Sequence, residues 1–193
     1  MKKWILTLPL VFCLNACTPT TLLVGAAIGI GGSLILDKRS IQTIWNDHHI
    51  SSTALNRIRV DKQLKTSTSI NASTFDGEVL LVGQAQTAEL RKKAEKITSG
   101  IKGVRKIFNE IEIAAPDGSF QHTNDTWLTT KVKTELFSKR GFNASSIKIV
   151  TSNGTVYLQG KVNRKTGNKI ADIVRRVSGV NRVIKVFEYS KYS

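Results

Sequence analysis

Trp127 and Lys131 stand four residues apart in "NDTWLTTKVKTEL", residues 124–136, with Lys133 two places further on. An indole beside ammonium groups makes no covalent bond and moves no proton at neutral pH. It suits a wet boundary of negative charge, the competing reading being that Trp127 packs against the other domain or the loop at 137–145. The ring's apolar body favours the headgroup level of a bilayer while its N–H stays hydrated. Each Lys or Arg near an anionic surface adds about 1 kcal/mol. At 100° per residue, Leu128, Val132 and Leu136 cluster as a buried stripe, and Trp127 lies on nearly the opposite side, with Lys131, Thr134 and Thr130 beside it. Asn124 or Asp125 is placed to cap this helix.

Cys17 carries the covalent chemistry. Lys2 and Lys3 precede an apolar run, Trp4 to Leu14, of signal-peptide length and too short to span a bilayer. The run closes in Leu14-Asn15-Ala16-Cys17, which resembles a bacterial lipoprotein cleavage box. The Cys17 thiol is expected to take a diacylglycerol and its freed amine an N-acyl chain. Thr18, rather than Asp, favours the outer membrane, facing the periplasm. Cys13 leaves with the signal, so no thiol remains for a disulfide or a metal site.

Other chemistry is sparse. The three histidines are His48, His49 and His122. The first two are adjacent and cannot share one helix face, and the third falls in a linker. No His-Glu-x-x-His, Gly-x-Ser-x-Gly or Cys-x-x-Cys occurs, and "GIGGS" at 29–33 lacks phosphate-loop spacing. No enzyme and no metal site is expected.

The formal net charge is +15. Residues 124–193 hold 14 Lys and Arg against 4 Asp and Glu, while residues 48–113 hold 11 against 7. Such basicity points to anionic partners. A periplasmic lipoprotein rarely meets nucleic acid, which leaves membrane or protein. Leu22 to Leu36 is apolar and glycine-rich, fifteen residues without charge. That is short of the roughly 20 a span requires, so the segment is expected to lie near the membrane or pack on the first domain.

These residues need elements to position them, and an internal repeat supplies the elements. "FDGEVLLVGQ" at 75–84 aligns with "SNGTVYLQGK" at 152–161, and "IKGVRKI" at 101–107 with "VSGVNRV" at 177–183. Upstream, Val60 and Leu64 are aligned with Val132 and Leu136, which places a five-residue insertion in "SKRGFNASS" of the second copy. Each copy reads as helix, strand, Asp-Gly or Asn-Gly hairpin turn, strand, helix, Gly-Val turn and strand. The predicted class is α+β, two αββαβ units, each a three-stranded sheet with two helices on one face. Copies of this size are marginal alone, so the two are expected to pack together.

The Gly-x-Val-x-Leu-x-Gly strand and the Gly-Val turn, present in both copies, resemble the BON-domain family. Behind a lipoprotein signal, and with "DKRS" at 37–40 and "NDTW", the chain is similar to dual-BON outer-membrane lipoproteins, departing from their pattern at Asn15 and in "TIWNDHH" at 43–49. The implied organisation is a signal at 1–16, a lipidated Cys17 and apolar linker at 17–46, a first BON domain at 47–114, a linker at 115–123 and a second BON domain at 124–191.

The resemblance also implies a non-enzymatic protein without cofactor beyond the lipid on Cys17. It implies that the second domain's first helix binds anionic phospholipid, chiefly phosphatidylglycerol and cardiolipin, and helps place the protein at the division site in support of envelope integrity. A link to β-barrel assembly machinery is implied as well, and a protein-interaction module docking there is the competing reading. The candidate phospholipid-binding residues are Trp127, Leu128, Thr130, Lys131, Lys133 and Thr134. Arg175, Arg176, Lys165 and Lys169 are candidates to extend the basic surface. Leu55 is taken as the first-copy equivalent of Trp127. The first domain is expected not to bind lipid, and Trp45 to be core or interface.

Overall fold

The computed structural model describes residues 39–116, 119–139 and 146–190. The expected signal, the lipidated Cys17 and the apolar run to Leu36 lie outside the described residues. The first unit comprises α1 (Ile41–Val60), α2 (Lys62–Ser67), β1 (Thr68–Phe75), β2 (Glu78–Ala85), α3 (Ala88–Ser99) and β3 (Lys106–Ile113). The second comprises α4 (Ser119–Ser138), β4 (Ile147–Ser152), β5 (Thr155–Val162), α5 (Arg164–Val174) and β6 (Arg182–Tyr189). The αββαβ order therefore holds twice, with α2 added in the first copy.

In each unit a hairpin supplies two antiparallel strands, and a helix crossover brings the third in parallel to the second, giving the orders β1-β2-β3 and β4-β5-β6. Asp76-Gly77 and Asn153-Gly154 make the hairpin turns with positive φ at both positions, 49° and 73° in the first and 52° and 71° in the second. That is the two-residue geometry whose twist matches the strands. Gly83 is required by close approach, since a Cβ there would stand 1.9 Å from the Ser69 carbonyl oxygen.

A carboxylate holds each turn. Asp47 accepts from the backbone N–H groups of Asp76 (2.8 Å) and Gly77 (2.9 Å). Asp125 accepts from those of Asn153 (2.8 Å) and Gly154 (3.1 Å). Helix and hairpin are thus tied by equivalent residues, and the tie reveals the correct alignment of the copies. The dipeptides Asn46-Asp47 and Asn124-Asp125 correspond, at an offset of 78. Ile50, Ala54 and Ile58 are then the counterparts of Leu128, Val132 and Leu136, and all six are buried.

The alignment of Val60 with Val132 is overturned: Val60 is 79% exposed. The spacing of four from Val60 to Leu64 straddles a break, because Asp61 is extended and caps α2, accepting from Gln63 and Leu64 N–H. With offsets of 76 to 78 throughout, no five-residue insertion is needed. The counterpart of Trp127 is His49, not Leu55.

The first helices begin ahead of the expected domain bounds, α1 at Ile41, capped by Ser40, and α4 at Ser119. Asp125 therefore does not cap α4; it serves the hairpin. Trp45 is not core, being 67% exposed.

The helices cover one face of each sheet. Ile50, Ala54, Ile58, Val79, Leu81 and Ile111 share one core, and Leu128, Val132, Leu136, Val156, Leu158 and Ile170 the other. The opposite faces pack on each other. Leu80, Val82, Val150, Tyr157 and Val186 form a third cluster with Phe108 and Ile184, drawn from both units. β2 and β5 are thus buried on both faces, which is why "EVLLVG" reads as a continuous apolar run. Burying each such side chain contributes about 1.5–3 kcal/mol.

Polar groups in this contact are matched. Ser73 Oγ donates to Gln159 Oε1 at 2.8 Å, and Lys148 Nζ to the Thr74 carbonyl at 3.0 Å. At the rim Arg105 reaches Glu188 (3.4 Å) and Arg182 reaches Glu112 (3.1 Å). Lys161, hydrogen-bonded to Glu188, holds that carboxyl below its ordinary range, with Arg105 helping and partial burial opposing. A depressed carboxyl adds stability above its ordinary range and loses it as pH falls through the folded value.

Burial pushes the Tyr157 phenol up to about 12, aided by Glu110 and Glu112 and opposed by Arg182. Its ionised form is disfavoured in the folded state. The stabilisation is therefore whole below the ordinary value of 10.0 and is lost as pH rises toward about 12. Urea midpoints followed through that window should fall more steeply for the native chain than for Tyr157→Phe. Asp47→Ala leaves two turn N–H groups without their acceptor and should cost about 2–4 kcal/mol in urea unfolding. Asp125→Ala, at a more open turn, should cost less.

Candidate functional site

α4 lies on the second sheet through Leu128, Val132 and Leu136, which are 4%, 0% and 1% exposed. Leu128, counted among the lipid-facing candidates, is therefore core. It supports the face from beneath and is not available to a ligand. Helical periodicity sends Trp127 the other way, and it is 61% exposed.

Two contacts set the indole. Lys131 Nζ stands 4.7 Å from the ring centroid and donates to the Ser178 carbonyl at 2.9 Å. The ammonium is thereby fixed against the ring, with donors left for an outside acceptor. The residue after Ser178 is the glycine of the Gly-Val turn that marks each copy. Gly179 has φ +99°, and a Cβ there would stand 3.4 Å from Leu128 Cδ1 and 4.0 Å from Trp127 Cζ3. A repeat landmark with no evident role in the sequence thus adjoins the tryptophan.

Thr130 and Thr134 are exposed on the same face. Their hydroxyls donate back to the carbonyls of Thr126 (3.1 Å) and Thr130 (3.0 Å). Those donors are spent within the helix, so the face offers an anion its ammonium groups rather than its hydroxyls. Lys133 is exposed to one side of this stripe.

Phe137 was missed by sequence reasoning. It is 48% exposed and continues the stripe Trp127, Thr130, Lys131, Thr134 at helical spacing, four residues after Lys133. Its signal was present, since it falls off the Leu128–Val132–Leu136 stripe, but an aromatic beside a core leucine is easily read as core.

Of the proposed basic extension, Arg175 pairs with Asp172 at 2.8 Å. Lys165, Lys169 and Arg176 line an open groove of about 510 Å³ between α4 and α5, with Lys139, Glu135 and Asp172. Lys139 is paired with Glu135 at 2.8 Å. Among the described residues no group of three or more His, Cys, Asp or Glu is placed to hold a metal ion, and no helix is long and apolar enough to cross a membrane.

The repeated unit matches a known one. The BON domain model matches residues 46–115 and 124–191. The chain belongs to the BON-domain family. It is a dual-BON protein of the DolP type, being 31% identical over 189 residues to the outer membrane lipoprotein DolP of Haemophilus influenzae, an alignment covering 98% of this chain and 96% of that one. It is 36% identical over 154 residues to a 21 kDa hemolysin of Actinobacillus pleuropneumoniae, covering 80% of this chain and 79% of the relative. The osmotically-inducible protein Y of Escherichia coli is 28% identical over 127 residues, covering 64% and 63%.

The Gly179 backbone generates one expectation. Gly179→Ala forces a side chain into the φ +99° conformation and should cost about 1–3 kcal/mol, read as a lower urea midpoint. Gly100→Ala, at φ −80° with 3.9 Å to the nearest atom an added Cβ would meet, is the control.

Proposed function

We propose that this BON protein is an outer-membrane lipoprotein, anchored through Cys17 and facing the periplasm, whose second domain binds anionic phospholipid through the outer face of α4. The observation that carries this reading is Trp127, an exposed indole turned from its own core with the Lys131 ammonium held 4.7 Å from its ring. The anchor and compartment are supported by the cleavage-box residues at 14–17 and by likeness to an outer membrane lipoprotein over nearly the whole chain.

Trp127, Lys131 and Lys133 together supply roughly 3–5 kcal/mol, a millimolar-scale affinity by themselves. The lipid tether raises the local concentration and makes so weak a contact effective. Headgroup preference comes from charge, so phosphatidylglycerol and cardiolipin are favoured over neutral lipid and salt weakens the contact. Phe137 adds apolar area, and Lys165, Lys169 and Arg176 place further positive charge beside the same helix. The reading is of a non-enzymatic binding protein. The family resemblance extends it to localisation at the division site and support of envelope integrity.

The test is cosedimentation of the chain from Thr18 onward with phosphatidylglycerol vesicles. Trp127→Glu should lower binding at least tenfold, equivalent to about 1.4 kcal/mol. Raised salt should release the native chain. Undiminished binding by the variant would remove α4 as the site. Failure to bind at low salt, with capture of a β-barrel assembly component instead, would favour the protein-docking alternative.

A further inference from the structure

The start of α1 presents a second apolar surface. Ile41 is 75% exposed, Ile44 38% and Trp45 67%. Ile41 and Trp45 are four apart and share one face, directly away from the buried Asp47, Ile50, Ala54 and Ile58. Single exposed apolar residues are ordinary on protein surfaces, whereas three large ones within two turns form a patch that asks for an occupant.

The covalent chain limits what that occupant is. Leu36 ends the uncharged run that follows Cys17, and Ile41 is five residues later. Five residues extend at most about 18 Å. Wherever the apolar run meets the membrane, the patch is held within that distance of it. The first turn of α1 contains no acidic residue. The nearby cation is engaged, for Arg39 pairs with Asp47 at 2.6 Å and lies 4.2 Å over the Phe75 ring. The patch therefore carries apolar contact rather than charge.

Its neighbour across the surface is the α4 site. Ile44 and His48 of α1, with Thr126 and Thr129 of α4, line a single open cleft of about 510 Å³. Both tryptophan-bearing helices, α1 and α4, thus contribute to its lining.

We propose that Ile41, Ile44 and Trp45 are a second bilayer contact, which seats the first domain in the interfacial zone of the membrane holding the lipid anchor, independently of headgroup charge. This revises the expectation that the first domain stays off lipid. It rests on the anchor at Cys17 and not on the Trp127 contact. Trp45 acts as an interfacial aromatic, and Ile41 and Ile44 fill the acyl boundary beneath it. Two unlike contacts then fix the molecule's orientation as well as its distance from the membrane.

The chain's three tryptophans make the test direct. Trp4 leaves with the signal, so the processed, lipidated Trp127→Phe chain reports Trp45 alone. Reconstituted in neutral phosphatidylcholine vesicles, its emission should shift to the blue and be quenched by phosphatidylcholine brominated high on the acyl chain, equally at low and high salt. Ile41→Asp should abolish the quenching. An emission typical of an exposed indole, untouched by brominated lipid, would overturn the proposal, as would shielding that tracks protein density and disappears on dilution, which would assign the patch to a second copy. The reciprocal Trp45→Phe chain reports Trp127. Loss of its quenching in phosphatidylglycerol vesicles would remove the α4 reading while leaving Trp45 to be judged on its own signal.

Discussion

The contact between the two sheets governs the surface that remains for function. Leu80 and Val82 from one unit meet Val150, Tyr157 and Val186 from the other, while the alternate residues of the same strands face the helices. A unit of this size with one sheet face bare would expose an apolar surface it cannot afford. Joining the bare faces resolves that for both units at once. The helices are left outermost, so recognition falls to their solvent sides. Trp45 and Trp127 are both found there.

The two copies use one plan for different ends. In each, an Asp on the first helix clamps the hairpin turn, a stripe spaced by four fills the core, and a Gly-Val turn leads into the last strand. Departures from the plan sit on the outer helix faces. Where the second copy has Trp127, the first has His49, and the first copy's tryptophan stands one turn earlier. Core positions are held by packing and satisfied hydrogen bonds, so they vary least in role. Outward positions carry no such constraint and are where two similar domains can diverge.

A cationic aromatic face and a neutral apolar patch answer different properties of a membrane. As proposed, the first would sense headgroup charge and be screened by salt. The second senses only the apolar boundary. On a molecule tethered as proposed neither has to be strong, because such an anchor removes most of the entropic cost of meeting the surface.

Much of this was legible in the sequence. The repeat, the Asp-Gly and Asn-Gly turns and alternating strands determined the αββαβ order, because local turn chemistry and side-chain period need no distant partner. The exposure of Trp127 followed from helical phase against Leu128, Val132 and Leu136. Tertiary structure alone decided the rest. Asp125 looks like a helix cap, and Asp47 has no evident role, until the hairpin N–H groups arrive from some thirty residues away. Val60 looks like core until Asp61 ends its helix. Trp45 looks like a core or interface residue until α1 docks and leaves it outside. For the two carboxylates the deciding partner lies far along the chain, at Val60 it is the adjacent Asp61, and periodicity reports which residues share a face but not what that face meets.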